Sequence, residues 1–167
     1  MIASPLTLPN DGVRRAASLD RAHETLMRGA AYLDRYVAPR CDAGVHAPFI
    51  GNALGELDRF LNVLVDEVAD WIGAPVRPKQ RNTANKLSAL HRVTGAAVHR
   101  RTGHARLSAI GRSREFLKHA GGRDATAAGR MPKAILPLSS AEMTAICRLY
   151  SDTARDLHAT ALALRPR

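Results

Sequence analysis

The sequence predicts an all-α protein, an antiparallel bundle of four to five helices. Apolar residues recur at three- and four-residue steps over residues 14–38, 50–72 and 143–164, which is the pattern of a helix with one buried stripe. Residues typical of helix ends border these stretches. Little of the chain alternates between apolar and polar residues as a half-buried strand would.

Two long helices are predicted in the first half of the chain. The first covers residues 14–38 and is closed by Pro39. The second covers residues 50–72 and is stopped by Gly73 and Pro75. Its exposed face is acidic and consists of Glu56, Asp58, Asp66, Glu67 and Asp70.

Shorter helices are predicted in the middle of the chain. One begins near Thr83, and another begins near His104 and ends at Gly121–Gly122, as helices with a C-terminal glycine do. Gly95 and the pair Thr102–Gly103 interrupt the stretch between them. These residues therefore form either one kinked helix or two short ones.

A long loop and a capped helix complete the predicted domain. Residues 120–137 lack helical periodicity, and loops of this length are usually mobile or functional. Ser139 and Glu142 then form a capping box, in which each side chain accepts a hydrogen bond from a backbone amide of the first turn. We expect residues 1–12 to be a flexible tail and residues 13–167 to be one helical domain with a single core.

The chain is basic, and its charge is unevenly distributed. Its net charge is +10, and residues 77–130 hold ten Arg and three Lys against only Glu115 and Asp124. A codon bias toward arginine would not concentrate the cations in this way. The distribution favours nucleic acid or another polyphosphate as the partner over a merely solvated surface, and we expect the protein to bind RNA. The expected phosphate contacts are Arg100, Arg101, Arg106, Arg112 and Lys118.

Composition and spacing disfavour several kinds of site. The chain has no phosphate-binding loop and no hydrolase or zinc-protease motif. Cys41 and Cys147 have no zinc-ligand spacing, and the basic region that holds four of the seven histidines offers few carboxylates, so we expect no metal and no cofactor. Only Phe116 of the aromatic residues falls in the basic region, which argues against a base-stacking platform. No role is assigned to His23, His46 and His158.

The distribution of apolar residues also indicates in which cellular compartment the protein is expected. No apolar run approaches the length of a membrane span, and the first residues lack the apolar core of a secretory signal. Two widely separated cysteines do not suggest a disulfide framework. We therefore expect a cytoplasmic protein with reduced thiols and no membrane partner.

One stretch carries a resemblance to a known family. "HARLSAIGRSREFLKHAGG", preceded by a long amphipathic helix and a "TANKLSAL" segment, resembles the HEPN superfamily of all-helical domains in bacterial toxins, defence systems and RNA-processing factors. The family motif is an Arg followed, after four to six residues, by a His near the end of a late helix. Arg114 and His119 match it, and the helix order matches from roughly residue 48 to residue 160. Arg92 and His99 satisfy the same spacing.

The resemblance implies a metal-independent endoribonuclease that acts as a toxin or defence component, with a cognate antitoxin as partner. Positions five apart on a helix lie roughly 140° from each other, so Arg114 and His119 do not share one stripe. A site could form if two protomers met across a two-fold axis or if the helix unwound near Gly121. The resemblance implies the first arrangement, a homodimer that would bring two copies of each residue to one cleft. There Arg114 would bind the scissile phosphate, and His119 would act as general acid or base toward an RNA 2′-hydroxyl.

Other interpretations of the same residues stay open. Glu115 stands where active family members often have a small polar residue, so it bears on whether the site is active. Arg114 would have a structural role instead if it paired with Glu115 or with a carboxylate of a neighbouring helix. In that case the protein would be a noncatalytic nucleic-acid-binding protein, or an interaction module whose acidic second helix and basic region meet a protein partner.

Overall fold

Helices dominate the part of the chain that the structure describes. The computed structural model describes residues 9–44, 46–73, 83–94, 106–111, 114 and 138–164. Its helices with defined bounds are α1 (Pro9–Tyr36), α2 (Ala38–Cys41), α3 (Ala47–Trp71), α4 (Thr83–Thr94) and α5 (Ser140–Ala163). Residues 106–111 and 114 are also helical, and these ranges contain no strand. The prediction of an all-α protein is confirmed.

Helix α3 forms the centre of the core and buries one continuous stripe. Its buried residues are Ile50, Gly51, Leu54, Leu57, Leu61, Leu64, Val65, Val68, Ala69 and Trp71. Pro48 lies in its first turn, where a missing amide proton breaks no helical hydrogen bond. After the helix Gly73 has a φ of +68°, a left-handed conformation that glycine adopts without strain. The predicted stop at Gly73 is confirmed, while the helix begins earlier than predicted, at Ala47.

Helix α1 differs from its predicted bounds at both ends. It begins at Pro9, before the predicted start at residue 14, and it ends at Tyr36. Pro39 does not directly close it but lies in the first turn of the short helix α2. Proline is tolerated there because the first amides of a helix have no internal partner. The predicted helix 14–38 is therefore a long helix followed by a short one.

Helices α1, α3 and α5 pack against one another around the core, and α4 packs on α3. Helices α1 and α3 run antiparallel, since Arg15 near the start of α1 lies 3.5 Å from Asp70 near the end of α3. Helix α5 runs parallel to α3, because the Trp71 Nε1 donates a 2.8 Å hydrogen bond to the carbonyl oxygen of Ala161. None of the described helices is long and apolar enough to cross a membrane.

The predicted capping box at the start of α5 is present. The Ser139 Oγ accepts a hydrogen bond from the backbone amide of Glu142 at 3.2 Å, and the Glu142 carboxylate accepts one from the amide of Ser139 at 2.9 Å. The Asp42 carboxylate, which follows α2, accepts a further one from the amide of Ser140 at 2.9 Å. These bonds satisfy amides that the helix leaves unpaired and tie α5 to the chain between α2 and α3.

Some predicted features fall outside the described residues. They include the 120–137 loop, the break at Gly95 and the helix end at Gly121–Gly122. The helix predicted near Thr83 is confirmed as α4, and the helix predicted from about His104 is seen at 106–111 and 114. Both cysteines are buried and free.

Candidate nucleic-acid site

The structure describes part of the predicted site. Arg114 is half-buried and Arg106 is exposed. The predicted site residues outside the described ranges are His119, Arg100, Arg101, Arg112 and Lys118. Arg92 of the alternative pair is exposed on α4, and its partner His99 also lies outside these ranges. The geometry of the site is therefore built around Arg114.

Arg114 forms a salt bridge with the middle of α3. Its Nη1 lies 2.6 Å from the Oδ2 of Asp58, and 26% and 15% of the two side chains are exposed. Because little water reaches the pair, each charge depends on the other more than in a surface salt bridge. The carboxylate also fixes the direction of the guanidinium. This is the pairing with a neighbouring helix that a structural role for Arg114 requires.

Asp58 belongs to a polar stripe on α3 that holds later segments of the chain. Asp58, Asn62 and Asp66 recur at four-residue steps and so lie on one face. The Asn62 Nδ2 donates a 2.8 Å hydrogen bond to the Oγ1 of Thr83, and the Lys86 Nζ lies 2.7 Å from both carboxylate oxygens of Asp66. The acidic face of α3 thus binds cations of the basic region within the same molecule.

The stripe borders an open polar groove of about 550 Å³, which Arg114 also lines. The fully buried Tyr150 of α5 is close enough to be influenced by the charges of Asp58 and Arg114. Burial, and then the charge of Asp58, raise the pKa of Tyr150 far above its ordinary value, so the hydroxyl keeps its proton. Its oxygen has no hydrogen-bond partner in the described ranges. No group of three or more His, Cys, Asp or Glu among the described residues is arranged to hold a metal ion.

The positive charge of the protein lies outside the described helical frame. The described residues hold thirteen Lys or Arg and thirteen Asp or Glu. The other twelve Lys or Arg, which lie between α3 and α5 or after α5, face only Glu115 and Asp124. The frame is therefore neutral, and the whole excess of +10 belongs to the rest of the chain.

Two histidines to which the sequence assigned no role meet between α1 and α5. The rings of His23 and His158 stack with their centroids 4.4 Å apart, and the His158 Nε2 lies 2.8 Å from the Oδ1 of Asp20. Burial, and then the charge of His158, lower the pKa of His23. The two histidines are far apart in sequence, so no local spacing indicates their contact.

We expect this histidine stack to make stability depend on pH. The pKa of His23 is lower in the folded chain than its ordinary value of 6.5, so at a pH between those two values the unfolded chain binds more protons. Stability should therefore be lost as the pH falls below about 6.5. Urea unfolding near pH 7.5 and near pH 5.5 measures the loss, and His23→Gln should reduce it. An equal loss in the wild type and the variant would contradict this role of His23.

The comparisons with known proteins add no relative. No protein-family model, no curated protein and no solved structure matches the chain. The resemblance to the HEPN superfamily therefore rests on the spacing of Arg114 and His119 and on the order of the helices in the sequence.

Proposed function

We propose that the protein binds RNA through its cationic segments and uses the described part of the chain as a neutral frame. The distribution of charge carries this proposal, because the frame is balanced and the excess of +10 lies elsewhere. Among the described cations of the basic region, Lys86 and Arg114 pair with carboxylates of α3. A polyanion such as RNA attracts clustered Lys and Arg and releases counterions when it binds.

Two variants that lose the same charge at different positions can test whether RNA binding depends on where the cations lie. One variant replaces three cations outside the frame with Gln: Arg100, Arg101 and Arg112. The matched control replaces three exposed arginines of the frame: Arg14, Arg28 and Arg155. Both variants lose the same charge, but we expect the first to weaken binding of a labelled single-stranded RNA by about tenfold or more, and the control to weaken it far less. Equal losses in a fluorescence anisotropy titration would contradict the proposal.

One observation favours RNA cleavage as the activity of this RNA-binding protein. The carboxylate of Asp58 holds the guanidinium of Arg114 at the edge of a polar groove, and about a quarter of the Arg114 side chain stays exposed. A positioned guanidinium is suited to bind a scissile phosphate and to stabilise the charge that develops in the transition state. We therefore propose Arg114 as the phosphate-binding residue of a metal-independent endoribonuclease.

In this reaction the 2′-oxygen of RNA attacks the adjacent phosphorus, and the bond from phosphorus to the 5′-oxygen breaks. His119 would accept the proton of the 2′-hydroxyl, and the His119 of a second protomer would donate a proton to the leaving 5′-oxygen. The products are a 2′,3′-cyclic phosphate and a 5′-hydroxyl. The homodimer and an antitoxin that restrains the enzyme are supported by the HEPN resemblance.

The alternative is a noncatalytic protein in which the salt bridge between Arg114 and Asp58 has only a structural role. If Arg114 serves only to neutralise Asp58, the chain would bind RNA and leave it intact. RNA that is bound but not cut under any buffer would support this alternative, and Glu115 would then be the first residue to substitute.

A further inference from the structure

The hydroxyl of Tyr150 has no use in the frame or in the proposed site. Tyr150 lies on α5 and is fully buried, and its hydroxyl has no hydrogen-bond partner among the described residues. Nearly all buried polar atoms of proteins are hydrogen-bonded, because an unsatisfied one lowers stability. A phenylalanine would fill the same space without this cost, so the presence of the hydroxyl calls for an explanation.

Tyr150 lies level with the salt bridge between Asp58 and Arg114. Helices α3 and α5 run parallel and are joined where the Trp71 Nε1 donates a hydrogen bond to the carbonyl oxygen of Ala161. Asp58 lies 13 positions before Trp71 on α3, a distance of about 20 Å along that helix. Tyr150 lies 11 positions before Ala161 on α5, a distance of about 17 Å. The two side chains therefore start at nearly the same level of two packed helices.

Both side chains also lie on the core-facing sides of their helices. Asp58 is one turn from Leu54 and Leu61, which are fully buried, and only 15% of its own side chain is exposed. Tyr150 is likewise one turn from the buried Ile146. Residues three or four positions apart share a face of a helix, so Asp58 and Tyr150 both face the interior that α3 and α5 enclose.

The charges of the salt bridge act on the hydroxyl. Burial raises the pKa of Tyr150 far above its ordinary value, the charge of Asp58 raises it further, and that of Arg114 lowers it. The hydroxyl therefore keeps its proton and can donate a hydrogen bond, for which a carboxylate is a suitable acceptor. In the free protein the Oδ2 of Asp58 instead accepts a hydrogen bond from the Arg114 Nη1 at 2.6 Å. Tyr150 is thus a donor in reserve beside an acceptor that is already engaged.

We propose that Tyr150 is a positioning residue for RNA, whose hydroxyl donates a hydrogen bond to Asp58 when a phosphate of the RNA shares the guanidinium of Arg114. This proposal rests on the proposed function, in which Arg114 binds phosphate, and adds how its salt bridge adapts. A phosphate beside Asp58 brings two negative charges together, which opposes binding. A hydrogen bond from Tyr150 stabilises the carboxylate and draws it toward the core, so that Arg114 can turn more of its N–H groups to the phosphate.

The test uses Tyr150→Phe in the full chain, which removes the hydroxyl and keeps the ring. Tyr32→Phe removes a hydroxyl from an exposed ring of α1 and is the matched control. We expect Tyr150→Phe to be at least as stable as the wild type in urea, because its hydroxyl has no partner to lose in the free protein. Its affinity for a labelled single-stranded RNA should fall about tenfold, since the complex loses a hydrogen bond to a charged group. In an Arg114→Ala background Tyr150→Phe should cost no further affinity.

The outcomes separate this proposal from the proposed function. A wild type that does not bind the RNA would contradict both. RNA binding that Tyr150→Phe leaves unchanged, or weakens no more than Tyr32→Phe does, would overturn the role of Tyr150 and leave RNA binding intact. A lower stability of Tyr150→Phe would overturn it too, because the hydroxyl would then be bonded already in the free protein. So would an equal loss of affinity in the Arg114→Ala background, because the hydroxyl would then act elsewhere.

Discussion

Replacing Arg114 or His119 with Ala should lower the rate of RNA cleavage by on the order of a hundredfold or more. The first substitution removes the guanidinium that we propose to bind the phosphate, and the second removes the group that we propose to transfer protons. Cleavage of a labelled RNA, followed in the presence of a metal chelator, measures both effects. The chelator belongs in the assay because the proposed reaction uses no metal.

Matched controls are available because a second Arg–His pair has suitable spacing. Arg92→Ala and His99→Ala should leave cleavage unchanged, and Arg92 is already exposed on α4. Arg114 also pairs with Asp58, so its variant needs a circular dichroism spectrum that shows it folded at the assay temperature. Cleavage that persists in the Arg114 and His119 variants but disappears in the control pair would move the site to Arg92 and His99.

Removing either partner of the Arg114–Asp58 salt bridge should lower the free energy of unfolding by about 1–3 kcal/mol. Each single Ala variant removes the attraction between Arg114 and Asp58 at a place that is mostly shielded from water. The double variant leaves neither charge, so its loss should be smaller than the sum of the two single losses. Urea unfolding of the four proteins measures the difference, which is the coupling energy between the two side chains.

The pair Arg155–Asp152 provides the control for this cycle. It joins the same residue types at 2.7 Å, but 58% and 61% of its side chains are exposed. Water screens such a pair, so its coupling energy should be below about 1 kcal/mol. If the Arg114–Asp58 pair coupled no more strongly than this one, Asp58 would not hold Arg114 in place, and the proposed positioning of the guanidinium would be wrong.

Local signals in the sequence predicted the position of each long helix and several of the helix ends. The start of α4 at Thr83, the stop at Gly73 and the capping box of Ser139 and Glu142 each depend on residues within a few positions of one another. The role of Pro39 was predicted wrongly, because proline can begin a helix as well as end one, and the local pattern does not distinguish the two.

Contacts between distant segments could not be predicted in the same way. Helical periodicity shows that Asp58 is on the polar face of α3, but it does not show which cation will reach that face. For the same reason the stacking of His23 on His158 emerges only from the packing of the helices.

RNA affinity as a function of salt concentration decides whether the cations outside the neutral frame bind RNA. Each phosphate that Lys or Arg neutralises on a single strand contributes about −0.7 to the slope of log affinity against log salt. With three or more such contacts, we predict a slope steeper than about −2 for the wild type. The variant lacking Arg100, Arg101 and Arg112 should give a clearly shallower slope. Affinity that is the same at low and high salt would contradict RNA binding by these residues.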